Sequence, residues 1–106
     1  MSNAIRALLA ELKAGLLALY GPRLKGVYLF GSYARGEEDA ESDVDVLVVL
    51  DRIEAYGAEV DLTGDLTADL SLRHEVSVSK VFVRESDWLG GDTPFLANVR
   101  EEAVPA

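Results

Sequence analysis

The run Asp43-Val44-Asp45-Val46-Leu47-Val48-Val49-Leu50 constrains this chain more than any other. Past its first residues it is unbroken Val and Leu, with β-branched side chains that suit a pleated strand. A strand apolar on both sides must be covered on both faces. The chain therefore has to build a sheet with helices packed on it. The two aspartates stand two apart, so on a strand both carboxylates leave the same face. Two like charges at the mouth of such a strand resist burial unless something neutralises them. Mg²⁺ does this, since it is held by one or two carboxylates together with substrate phosphates. The alternative is that this strand end is exposed and both aspartates are solvated; it fits Asp43, at the edge, better than Asp45, two residues deeper.

The flanking pattern supplies the other elements. Ile5, Leu8, Leu9, Leu12, Leu16 and Leu19 fall at helical spacing, and Gly21-Pro22 ends that helix. Gly26 to Phe30 is a short strand stopped by Gly31-Ser32, with one helical turn through Tyr33, Ala34 and Arg35 before Gly36. From Glu54 to Arg73 the sequence predicts a helix, with Leu62, Leu66 and Leu70 inward and Asp61, Asp65 and Asp69 as a solvated stripe. Val76 to Val83 is the next strand, where Val76, Val78 and Phe82 alternate with Ser77, Ser79 and Val83. Ser86-Asp87 caps a short turn at Trp88, Gly90-Gly91 breaks it, and Thr93-Pro94 opens a last helix with Phe95, Leu96 and Val99 inward. The order is helix, strand, turn, strand, helix, strand, helix. The expectation is one domain over residues 1–106, of α/β (α+β) class, with helices packed on a small mixed sheet.

Charge narrows the partners. The 106 residues include 19 acids against 10 Lys and Arg, a net charge of −9. Nucleic-acid binding draws its affinity from neutralised phosphates, so a large nucleic-acid substrate is not expected. Glu37, Glu38, Asp39 and Glu41 crowd the loop ahead of Asp43 and read as a solvated acidic loop. With no cysteine, neither disulfides nor a thiolate metal site can form. No apolar run approaches the roughly 20 residues needed to span a bilayer. The first residues lack the pattern of a secretory signal. A cytoplasmic location fits. A domain of this size leaves apolar surface over for self-association or for docking on a partner.

Gly31-Ser32 is by itself a weak signal, because most such pairs are only turns. Its distance from the aspartates gives it weight: a short loop between neighbouring strands would set the turn beside both carboxylates, so that one site could hold phosphate and metal. The stretch Leu29-Phe30-Gly31-Ser32-Tyr33-Ala34-Arg35-Gly36, followed by Ser42-Asp43-Val44-Asp45-Val46-Leu47-Val48, resembles the active-site motif of the DNA polymerase β-type nucleotidyltransferases, most closely their minimal nucleotidyltransferase (MNT) branch. The resemblance implies a polymerase-β-like fold. It implies that Gly31 and Ser32 hold the triphosphate of ATP or another NTP, and that Asp43 and Asp45 are catalytic and bind Mg²⁺. Arg35 either contacts a phosphate or pairs with the acidic loop. Small free-standing members of the family commonly act as antitoxin to an all-helical HEPN protein, and some transfer AMP to a tyrosine of that partner.

The chain departs from the family in one respect. A third carboxylate, from the strand expected over Val76 to Val83, ordinarily serves as general base and metal ligand. Here that strand offers Ser77, Ser79 and Lys80 but no acid. Glu75, just before it, is either the third ligand or a helix-end acid. Lys80 either faces outward or sits by phosphate. His74, the only histidine, is given no role, and Tyr28 and Trp88 are expected to pack.

Overall fold

The computed structural model describes residues 1–106. Its elements are α1 (Asn3–Tyr20), a 3₁₀ turn (Gly21–Arg23), β1 (Leu24–Phe30), α2 (Ser32–Arg35), β2 (Val44–Leu50), α3 (Tyr56–His74), β3 (Val78–Arg84), α4 (Glu85–Gly90), α5 (Pro94–Glu102) and β4 (Val104–Pro105). The strands form one mixed sheet in the order β3-β2-β1-β4. β2 pairs antiparallel with β1 and parallel with β3, and β1 pairs antiparallel with β4.

The unbroken apolar run becomes an inner strand, as its composition demands. Val44, Val46, Val48 and Leu50 face α1 and α3, in one core with Leu8, Leu12, Leu16, Leu29, Leu70 and Phe82. Leu47 and Val49 face the opposite side, in a second core with Val83, Leu96 and Val99. Helices thus cover both faces, α1 and α3 on one and α4 and α5 on the other. Asp45 alternates with Val44 and Val46, so it belongs to the α5 face.

Several expectations need correction. Leu62 is 46 % exposed, whereas Glu59, Thr63 and Leu70 are the buried positions of α3. A row of every fourth residue drifts about 40° around a helix at each step, so it leaves the core face after two steps. Glu59, Thr63, Leu66 and Leu70, at spacings of four, three and four, follow the face instead. Leu19 is exposed and Tyr20 takes its inward place. Phe95 is exposed on its helix, although its ring stands edge-on to Phe30 with centroids 5.8 Å apart. Strand β3 starts at Val78, not Val76, and β1 starts at Leu24, not Gly26. The two-residue strand β4 was not foreseen; it is too short to carry a pattern.

The buried Glu59 is satisfied by two donors. Tyr20 Oη donates to Oε1 at 3.1 Å, and Arg23 donates to Oε2 at 3.2 Å. This network ties α1 to α3 at the end where the chain enters β1. Tyr28 packs on Trp88 at 4.9 Å between ring centroids, as expected for packing residues.

Candidate functional site

The site begins where β1 stops. Gly31 has φ +76° and ψ −157°, a backbone region that residues with a Cβ adopt only under strain. A Cβ added there would also lie 2.2 Å from Asp45 Oδ2. The glycine is therefore required twice, once by its dihedrals and once by the carboxylate pressed against it. Register explains the contact, because Phe30 is the cross-strand partner of Asp45. One helical turn, Ser32–Arg35, follows and closes at Gly36, whose left-handed φ of +71° ends it.

The structure brings Gly31 against Asp45 and puts Ser32 next in the chain. Asp43 stands exposed immediately before β2, and Asp45 is half-buried. Burial pushes the Asp45 carboxyl above its ordinary value, the Asp43 charge adds to the rise, Arg35 opposes it, and Glu102 adds a little more. A carboxylate in such surroundings gains from a neighbouring cation. Two acidic side chains near enough for one charge to act on the other fit Mg²⁺, which takes one or two carboxylates and fills its sphere with phosphate oxygens and water.

Strand β3 adds no acid to them, and there is no group of three His, Asp or Glu side chains placed to hold a metal ion. The residue beside Asp45 on β3 is Ser79, its parallel register partner. Ser79 alternates with Val78 and Lys80, so it shares the Asp45 face. Lys80 points the other way and donates to Thr67 Oγ1 of α3, so it does not sit with the aspartates. Burial lowers the pKa of its ammonium. Glu75 is exposed, in left-handed conformation at the end of α3, with φ 54°. It is a helix-end acid. His74 pairs with Glu11 of α1.

One residue near the site escaped the sequence argument. Glu102, the last residue of α5, accepts from Gly31 N–H through Oε1 at 3.2 Å and from Arg35 Nη1 through Oε2 at 2.8 Å. Arg35 also pairs with Glu37 at 2.7 Å. The arginine holds the Glu102 carboxyl below the usual range. A signal was there to be read: Glu101-Glu102 puts negative charge at a helix C-terminus, where the macrodipole disfavours it. An acid so placed calls for a cation nearby. The largest cavity, about 540 Å³, opens elsewhere, among Tyr56, Phe82, Arg84, Thr93 and Phe95, and none of the motif residues lines it.

Residues 9–101 match the family model of the nucleotidyltransferase domain. The chain is 34 % identical over 98 residues to MJ0604 of Methanocaldococcus jannaschii, provisionally named a protein adenylyltransferase, with 87 % of each protein covered. It is 41 % identical over 69 residues to the protein adenylyltransferase MntA of Thermococcus cleftensis, covering 65 % of this chain and 68 % of that one. Among solved structures, a toxin–antitoxin crystal structure with AMP-PNP superposes with a TM-score of 0.63 at 24 % identity, over 89 % of this chain and 68 % of the other. At that identity the superposition speaks for the fold alone. With the motif, the fold and the relatives in agreement, the chain belongs to the nucleotidyltransferase family, in the minimal branch of its DNA polymerase β type.

Proposed function

We propose that this protein is a Mg²⁺-dependent nucleotidyltransferase of the cytoplasm, which moves AMP from ATP to a hydroxyl of a protein partner. We further propose that the partner is an all-helical HEPN-type toxin, for which the chain is the antitoxin. The observation that carries the reading is the Gly31 turn packed against Asp45, which brings a glycine backbone and a half-buried carboxylate to one point. The MntA relatives support AMP as the group transferred and a protein as its acceptor. The charge of −9 favours a protein over RNA as well.

Gly31 and Ser32 would receive the triphosphate, Arg35 would take a phosphate oxygen, and Asp43 and Asp45 would hold Mg²⁺. Held by these carboxylates, Mg²⁺ would supply neutralisation of phosphate charge. In the transfer, the acceptor oxygen bonds to the α-phosphorus, the bond to the β-phosphate oxygen breaks, and pyrophosphate leaves. The acceptor's proton passes to solvent, because Ser79 is a poor base. The test is incubation of purified chain with α-labelled ATP, Mg²⁺ and the purified product of the neighbouring gene, whatever its fold. Label on a partner tyrosine, lost in Asp45→Asn, is the expected result. An unlabelled partner in the presence of bound ATP would sink the transfer reading.

Ser79 favours a second reading, a module that binds nucleotide and partner without transferring. It predicts a thermal shift with Mg²⁺-ATP, restraint of the partner that needs no ATP, and no label on the partner.

A further inference from the structure

We propose that Glu102 competes with phosphate for the donors of Gly31 and Arg35, so that nucleotide binding is an exchange in which the last turn of α5 releases the Gly31 turn. The inference rests on reading Gly31 and Arg35 as part of the phosphate seat.

The carboxylate of Glu102 bridges two donors, Gly31 N–H at 3.2 Å and the Arg35 guanidinium at 2.8 Å. A turn amide and a guanidinium are the kinds of donor that recognise phosphate oxygens, and a carboxylate offers them the same fork of two oxygens. Elsewhere Glu102 is badly placed. It lies at the C-terminus of α5, where the helix dipole disfavours an anion, and its charge adds to the strain on Asp45. Its carboxylate has no hydrogen-bond partner besides these two donors. A triphosphate carries more charge and brings a cation for the aspartates, so it competes for the same donors on favourable terms.

The exchange reaches further along the chain. Ala103 follows Glu102 directly, and β4 then pairs with Tyr28 and Leu29, the residues just ahead of Phe30 and Gly31. Ala106 N–H donates to Val27 O at 2.9 Å. The last residues are thus fastened both to the seat and to the strand that leads into it. Filling the seat loosens this fastening, and by linkage anything that clamps β4 weakens anion binding by the same factor.

The test uses the full chain, with inorganic triphosphate and Mg²⁺-ATP as separate probes. Affinities are measured for wild type, Glu102→Gln, Glu102→Ala and, as a control for charge alone, Glu101→Gln. Both Glu102 variants should bind inorganic triphosphate about five- to tenfold more tightly than wild type, while Glu101→Gln stays within about twofold. Amide exchange at Ala103, Val104 and Ala106 of the wild type should quicken when triphosphate is added, a readout that needs no variant. Unchanged or weaker affinity in folded Glu102→Gln, or exchange that triphosphate leaves unaltered, overturns the inference. So does failure of every variant to bind triphosphate. Tighter triphosphate binding without transfer of AMP to any partner leaves the inference standing and removes the proposed activity; transfer at unchanged affinity does the reverse.

Discussion

At the scale of single residues, Gly31 and Asp45 are bound to each other's fate. Gly31→Ala forces a Cβ into the Asp45 carboxylate and into dihedrals open to glycine, so it should cost roughly 1–3 kcal/mol in urea unfolding and abolish Mg²⁺-ATP binding. Asp45 behaves oppositely. Its folded pKa lies above its unfolded one, so the native state holds the proton more tightly. The penalty on stability is complete above the raised value and disappears below the ordinary carboxylate value of about 4. Metal-free Asp45→Asn should therefore melt higher than wild type at neutral pH, with the difference shrinking as the pH falls toward that value. A lower melting point at pH 7 would make the carboxylate a structural one. Ser79 supplies a test of the missing base. Ser79→Asp places an acid beside Asp45 on the same face and should raise any transfer rate by up to about 10²-fold, whereas Glu75→Gln should leave it unchanged. The aspartate pair stood out in the sequence because two charges conflict with an apolar strand, and the glycine turn because of its short distance from them along the chain. The choice among Ser77, Ser79 and Lys80 could not, since it depends on the register of β3 against β2. The acids ending α5 call for a cation, but that Glu102 meets Gly31, 71 positions away, no local pattern tells.

At the scale of elements, strong periodicity translated into structure and weak periodicity did not. The leucines of α1 repeat often enough to mark a face, and Ser2 fixes its start by accepting from Ile5 N–H at 3.3 Å. Thr93-Pro94 opens α5 as expected, with Thr93 Oγ1 accepting from Leu96 N–H at 3.2 Å. Helix α3 misled because its few leucines sit every fourth residue while the core face takes Glu59 and Thr63. Those polar side chains are silent in a hydrophobic pattern. Glu59 is satisfied by Tyr20 and Arg23, and Thr63 turns its hydroxyl back to Glu59 O at 2.9 Å. Two substitutions separate the faces. Leu70→Ala, at a fully buried position, should cost about 2–5 kcal/mol in chemical denaturation. Leu62→Ala should stay within about 0.5 kcal/mol of wild type. Equal losses at the two sites would mean that another surface covers Leu62 in solution.

At the scale of the whole molecule, charge is the dominant feature. A net −9 is confined within a radius of gyration of 13.2 Å. Several cations are already engaged, since Arg23, Arg35 and Arg73 each bridge two acids. The acids of the 37–42 loop have no such relief beyond the pairing of Glu37 with Arg35. Salt acts on this balance in two ways. It screens the exposed ion pairs, each worth about 0–1 kcal/mol, and it screens the general repulsion once the Debye length falls below about 8 Å. With acids in such excess, the second effect is the larger. Raising NaCl from about 0.05 M to about 0.5 M should lift the melting temperature by roughly 2–5 °C. MgCl₂ at matched ionic strength should lift it further if, as proposed, Asp43 and Asp45 are a divalent-ion site that Na⁺ does not fill equally well. That excess should vanish in Asp43→Asn/Asp45→Asn. It should survive in Glu38→Gln/Glu41→Gln, which lightens the loop, spares the pair and reduces the response to NaCl instead. If the Mg²⁺ excess followed the loop rather than the pair, the ion would be bound by diffuse charge, and the carboxylates beside Gly31 would have no special claim on it.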